Sequence, residues 1–178
     1  SGSTPKMIAR ESHILPVGYG SMLLESFVAM MAMVAACALE PADLQKAFGL
    51  AFDKGQADPA GGMGTGCKYN TVGGSLAKGT DFSVWLGIIP TGGQMDMWRT
   101  MTAGGPKAKL NPVAGDPDKA VTVQQKPDVP PFPSVMYQRG DLLVVLNLTG
   151  GAPRGDAKAE AAFIEQMNGK LLKVRRVP

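Results

Sequence analysis

Asp141-Leu-Leu-Val-Val-Leu-Asn-Leu148 is the run from which the fold can be read. Leu142 to Leu146 are five consecutive aliphatic residues with no polar face, the pattern of a strand buried on both sides and so of the centre of a sheet. Immediately before it, Arg139-Gly140 separates the run from Ser134–Gln138, as in a tight hairpin. After it, Asp156 to Leu172 reads as a helix in which Ala159, Phe163, Met167 and Leu171 recur at spacings of four. That stripe gives the helix an apolar side with which to cover the sheet.

Moving outward, Phe82-Ser83-Val84-Trp85-Leu86-Gly87-Ile88-Ile89 reads as a long strand ended by Pro90. Cys67 to Val72 alternates as a strand before the Gly73-Gly74 turn, and the two are expected to form a hairpin. Ala120 to Gln124 is a further strand, and the four prolines between Pro127 and Pro133 make an extended connector that cannot pair in a ladder. Two more helices are expected. Pro41 to Phe48 has Pro at its first turn and Gly49 at its stop, with Leu44 and Phe48 on one face. Gly93 to Met101 places Met97 and Met101 four apart and Met95 and Trp98 three apart, predicting a buried face lined by Met and Trp. The stretch from Asp53 to Gly66, with Gly61, Gly62, Gly64 and Gly66 near its end, reads as a flexible loop. The fold class is therefore α+β, an antiparallel sheet of about five strands covered by helices.

Toward the N-terminus the grammar changes. Ser21 to Leu39, SMLLESFVAMMAMVAACAL, has sixteen apolar residues in nineteen and one charge, Glu25. As a helix it would be roughly 28 Å long, close to the thickness of a bilayer core, and apolar on every side. This predicts one long apolar helix preceding the sheet domain, and a division into an apolar segment at 1–41 and an α+β domain at 42–178. The segment is expected to engage a membrane, a signal-peptide channel or another protein through residues 21–39, or to make the chain a homo-oligomer. Val34-Ala35-Ala36-Cys37 also has the small-residue spacing of a lipoprotein cleavage site, with Cys37 as the acylated residue.

The composition excludes much. With 44% apolar and 19% charged residues, the chain is not disordered. A net charge of +3 and 6% aromatic residues argue against nucleic acid as a partner. His13 is the single histidine, so neither Cys67 nor any serine after Pro41 has an imidazole base within its own domain. Asp116-Pro117-Asp118 lacks the other ligands of a calcium loop and reads as an Asx turn. The glycines before Cys67 precede a strand rather than a helix, so they do not make a phosphate cradle. Asn147-Leu148-Thr149 is a glycosylation sequon inside an expected central strand. No catalytic residue, metal or cofactor is expected. Lys170, Lys173, Arg175 and Arg176 form a basic tail able to touch an anionic surface or to complement the end of the last helix.

Two resemblances follow from particular residues. Ser3-Thr4-Pro5-Lys6, Gly18-Tyr19-Gly20 with Met22-Leu23, and Glu25-Ser26-Phe27-Val28-Ala29 leading to Glu40-Pro41 resemble an internal segment of the carbon starvation protein family, CstA. That resemblance covers residues 1–41 and implies membrane transport of peptides or pyruvate. A full transporter of that kind would need further hydrophobic spans, and none follows Ala42. The remainder loosely resembles small secreted bacterial lipoprotein domains of unknown function. This second likeness rests on Ala42-Asp43-Leu44 through Phe48-Gly49, Gly66-Cys67-Lys68-Tyr69, Pro112-Val113-Ala114-Gly115 before Lys119-Ala120, and Arg139-Gly140-Asp141-Leu142-Leu143. It implies a disulfide between Cys37 and Cys67, which excludes acylation of Cys37 because both consume the same sulfur. A bridge of that kind needs an oxidising compartment. The expected function is a non-enzymatic, cell-envelope-associated binding domain with an unknown ligand, and its alternative is a fragment of a CstA-like transporter.

Overall fold

The computed structural model describes residues 39–58, 65–73, 82–124, 132–151, 153 and 155–177. Seven strands form one sheet: β1 (Gln56–Ala57), β2 (Thr65–Asn70), β3 (Ser83–Pro90), β4 (Lys109–Pro112), β5 (Val121–Gln124), β6 (Ser134–Arg139) and β7 (Leu142–Thr149). Their order across the sheet is β1-β2-β3-β7-β6-β5-β4, and every pairing is antiparallel. Three helices accompany it, α1 (Pro41–Phe48), α2 (Met95–Thr102) and α3 (Ala157–Leu171).

The aliphatic run at 142–146 lies in β7, the fourth strand of seven, flanked by β3 and β6. Its alternation feeds two cores. Val144, Leu146 and Leu148 join Leu44, Phe48, Cys67, Tyr69, Leu86, Tyr137, Met167 and Leu171 on the face covered by α1 and α3. Leu143 and Val145 join Ile89, Met136, Val121 and Val123 on the opposite face, against Met95 and Trp98 of α2. Phe48, Phe52 and Phe82 meet with ring centroids 5.7 Å apart, closing the first core beside α1. Helix α1 ends as its sequence requires, with Gly49 in the left-handed conformation at φ 75°. Helix α3 begins at Asp156, whose carboxylate accepts from the backbone N–H groups of Lys158 and Ala159.

Several expectations are corrected. The sheet has seven strands and not about five, because β1 and β4 are short, mostly exposed edges without an alternating apolar pattern. Gly66, expected in a flexible loop, lies within β2 and pairs with Gly87 of β3. The expectation of one long apolar helix before the domain is not met among the described residues, whose three helices are of 8, 8 and 15 residues. Among the described residues no helix is long and apolar enough to cross a membrane. Of the run at 21–39, only Leu39 falls within the described residues, and it lies in a bend, packed into the first core. Glu40 is extended, with φ −81° and ψ 143°, because the ring of the following Pro41 disfavours helical backbone there. On α2, Met95 and Trp98 do face the core, but Met97 and Met101 are 43% and 49% exposed. The expected Met- and Trp-lined face is thus two residues wide.

Candidate functional site

The second face of the sheet has an apolar half and a polar half. At one end α2 covers Ile89, Leu143 and Val145. Toward the other end the same alternation presents two polar rows. Asn70 of β2 pairs with Ser83 of β3, which pairs with Thr149 of β7. In the adjacent row Lys68 pairs with Trp85, Trp85 with Asn147, and Asn147 with Ser134. Trp85 marks the border. Its indole lies flat across Gly66 and Gly87, so that a Cβ added at Gly87 would fall 2.0 Å from the ring and one at Gly66 2.7 Å from it. The two paired glycines leave the space in which the indole lies.

At the polar end Lys68, Asn70, Thr71, Phe82, Ser83, Thr149 and Gly150 line an open cavity of about 450 Å³. Its polar groups are tied to one another. The Ser83 and Thr149 hydroxyl oxygens are 2.8 Å apart, and the Thr71 hydroxyl donates to the Phe82 carbonyl at 3.2 Å. The Asn70 side-chain amide donates to Asp53 Oδ2 at 3.0 Å while the Asn70 backbone N–H donates to Asp53 Oδ1 at 2.7 Å. One row deeper, the Ser134 hydroxyl donates to Asn147 Oδ1 at 2.7 Å. Of these residues, only Asn147 and Thr149 were singled out from the sequence, as the ends of a glycosylation sequon. The signal that could have found the site is the placing of Lys68 with Asn70, and of Asn147 with Thr149, at same-face positions in otherwise apolar strands.

The other residues that were singled out lie elsewhere. Cys67 is fully buried in β2 and disulfide-bonded, while Cys37 lies outside the described residues. Of the basic tail, Lys173 and Arg175 are exposed, and Lys170 and Arg176 face inward contacts. Lys170 Nζ donates to the Phe48 carbonyl at 3.4 Å and stands 5.9 Å from the Phe48 ring centroid. Arg175 lies 3.9 Å from Asp43. Arg176 pairs with Asp116 at 2.6 Å and Asp118 at 3.9 Å, and its guanidinium stacks 4.3 Å from the Tyr137 ring centroid. Arg139 pairs with Asp118 at 3.1 Å and donates through Nε to the Val177 carbonyl, while the Val177 N–H donates to the Tyr137 hydroxyl. The Asp116 turn is present, with Asp116 Oδ1 accepting from the Asp118 and Ala120 backbone N–H groups. Much of the tail's charge is therefore taken up in fastening the chain to its own sheet.

Among the described residues no group of three His, Cys, Asp or Glu is arranged to hold a metal ion. At the far end of the second face, the Asp141 carboxylate accepts from the Thr91 hydroxyl and the Gly93 backbone N–H. Those bonds hold its carboxyl below the usual carboxylate range, the Thr91 bond contributing most.

Comparison with known proteins places the N-terminal part. Residues 1–61 match the family model of the carbon starvation protein CstA. Over 41 residues the chain is 63% identical to the peptide transporter CstA of Campylobacter jejuni and 58% identical to that of Escherichia coli. It is also 58% identical over 41 residues to the pyruvate/proton symporter BtsT of Escherichia coli. Each match takes in 23% of this chain and 6% of the relative. No solved structure matches the chain. The resemblance to a CstA segment is thus established, and the match to the family model runs past Pro41 through α1 and β1.

Proposed function

We propose that this chain serves as part of a membrane transporter of the carbon starvation type, with small carboxylates such as pyruvate or short peptides as its substrate class. The observation that carries this reading is the family match over residues 1–61. Its last third is shared with the sheet domain, since Leu44 and Phe48 of α1 and the neighbouring Phe52 are buried in the first core. The CstA-like sequence and the α+β domain are therefore one folding problem, because truncating the core side chains of α1 would open a cavity under the sheet.

The disulfide at Cys67 adds a compartment. A bonded sulfur with no exposure calls for folding under oxidising conditions, which favours the extracytoplasmic side of a membrane for the domain. With two cysteines in the sequence, Cys37 is its partner within the chain in our reading, at the expense of acylation. The test is fractionation of cells making the chain at native level, combined with uptake of labelled pyruvate and of a labelled dipeptide after deletion of its gene. The reading expects the chain in the carbonate-resistant membrane fraction and reduced uptake of one label. Recovery in the soluble fraction with uptake unchanged overturns it.

A further inference from the structure

We propose that the polar end of the second sheet face is a binding site for a small organic carboxylate, held by Lys68 with the Ser83–Thr149 hydroxyl pair. The argument begins with a count of hydrogens. In the Ser83–Thr149 pair, 2.8 Å between oxygens, one hydroxyl donates to the other, and the second hydrogen remains to be given outward. Ser83 is 7% exposed and Thr149 is exposed, so the pair presents that donor at the cavity wall, within reach of a ligand. A ligand oxygen arriving in the cavity can accept that hydrogen. Asn70 spends one amide hydrogen on Asp53 and retains another. Lys68 supplies the positive charge, and among the described residues no carboxylate lines the cavity. The site is thus rich in donors and carries one cation, the complement of a negatively charged acceptor.

Charge selects among anions. Lys68 is matched by a single negative charge, and the Asp53 carboxylate behind Asn70 adds a negative field. A phosphate dianion would leave one charge uncompensated in a partly desolvated place, whereas a monocarboxylate would not. The planar carboxylate can also take the ammonium on one oxygen and the hydroxyl on the other. The cavity of about 450 Å³ admits a molecule of metabolite size. Lys68 and Ser83 come from different strands, β2 and β3, and Thr149 from a third, so a rigid sheet sets their spacing.

The proposal does not rest on the transport reading, because binding can be measured whether or not the chain resides in a membrane. Full-length, isotope-labelled chain in detergent micelles is titrated with sodium acetate, with sodium phosphate and sodium chloride at matched ionic strength as comparisons. Acetate is expected to move the backbone amide signals of Lys68, Ser83, Thr149 and Gly150 saturably, and chloride is not. Lys68→Ala, at an exposed position that the fold does not need, is expected to weaken acetate binding by about tenfold or more, with Lys68→Arg largely restoring it. Thr149→Val, which keeps shape and removes the hydroxyl, is expected to weaken binding by several-fold. Shifts that do not saturate, acetate binding unaltered in Lys68→Ala, or phosphate binding as tightly as acetate would each overturn the proposal.

Discussion

Gly87 shows how one atom can set the packing of a sheet face. The Trp85 indole occupies the space a side chain would need, and a Cβ there would lie 2.0 Å from ring carbons. The ring would have to leave its place across Gly66 and Gly87. Gly87→Ala is therefore expected to destabilise the domain by about 1–3 kcal/mol, the usual cost of overpacking, despite the better strand propensity of alanine. Equilibrium urea unfolding measures the loss, and the Trp emission spectrum should shift with it. A fully stable Gly87→Ala variant would show that the indole has room elsewhere.

Tyr69 makes a prediction of a different kind. Burial pushes its hydroxyl up to about 12 from an ordinary value of 10.0, and burial also raises Tyr137. A raised folded-state value means that the folded chain holds its proton more tightly than the unfolded chain. The stabilisation is complete below pH 10 and is lost as pH rises from there toward about 12. Alkaline unfolding should set in over that window, and Tyr69→Phe should shift its onset upward, as followed by circular dichroism. Asp141 acts with the opposite sign. Its lowered carboxyl contributes stability above pH 3.8 that is lost as pH falls further, so Asp141→Ala should flatten the acid limb of the stability profile.

At the scale of elements, the tail after α3 behaves as a clasp. Arg176 bridges Asp116 and Asp118 while stacked on Tyr137, and Arg139 reaches both Asp118 and the Val177 carbonyl. These groups are mostly withdrawn from water, so removing one leaves the others poorly compensated. Arg176→Ala is expected to cost roughly 1.5–3 kcal/mol, the range for hydrogen bonds to charged groups. A double-mutant cycle with Asp116→Ala should show a coupling that an exposed pair would lack. Additive effects would mean that the clasp contributes little.

The elements also show what could be read in advance. Helix α1 was legible because Pro41 and Gly49 mark its ends, and β7 because five aliphatic residues admit only a doubly buried strand. β1 and β4 were not, since Gln56-Ala57 and Lys109-Leu-Asn-Pro112 have neither the length nor the alternation of a strand, and pairing with a neighbour creates them. The clasp was hidden for another reason. Asp116 and Arg176 are 60 positions apart, and a basic tail in a linear sequence resembles a solvated one until its acids are located. The polar cavity was hidden likewise, because Lys68, Ser83 and Thr149 converge only through the registers of β2, β3 and β7.

For the whole molecule, the disulfide at Cys67 is the covalent constraint to weigh. With Cys37 as the partner proposed above, the closed loop of about thirty residues is worth roughly 3–4 kcal/mol in the chain-entropy model, a large share of a domain's stability. Intact mass under non-reducing conditions should show the chain lighter by two hydrogens. Reductant should lower the urea midpoint. An acylated mass, or a midpoint indifferent to reductant, would count against an intrachain bond.

The position of β7 governs the order in which this protein can be assembled on the ribosome. Strand β3 pairs with β7 along all eight of its residues, and the hydroxyl contact between Ser83 and Thr149 spans 66 positions. At about 5–20 residues per second, β3 must wait several seconds after its own synthesis for a neighbour on that side. Until then an aliphatic ribbon edge stands open to any other extended chain nearby. Newly made copies should be most vulnerable to clumping during that interval, and ribosome-proximal chaperones should be most useful there.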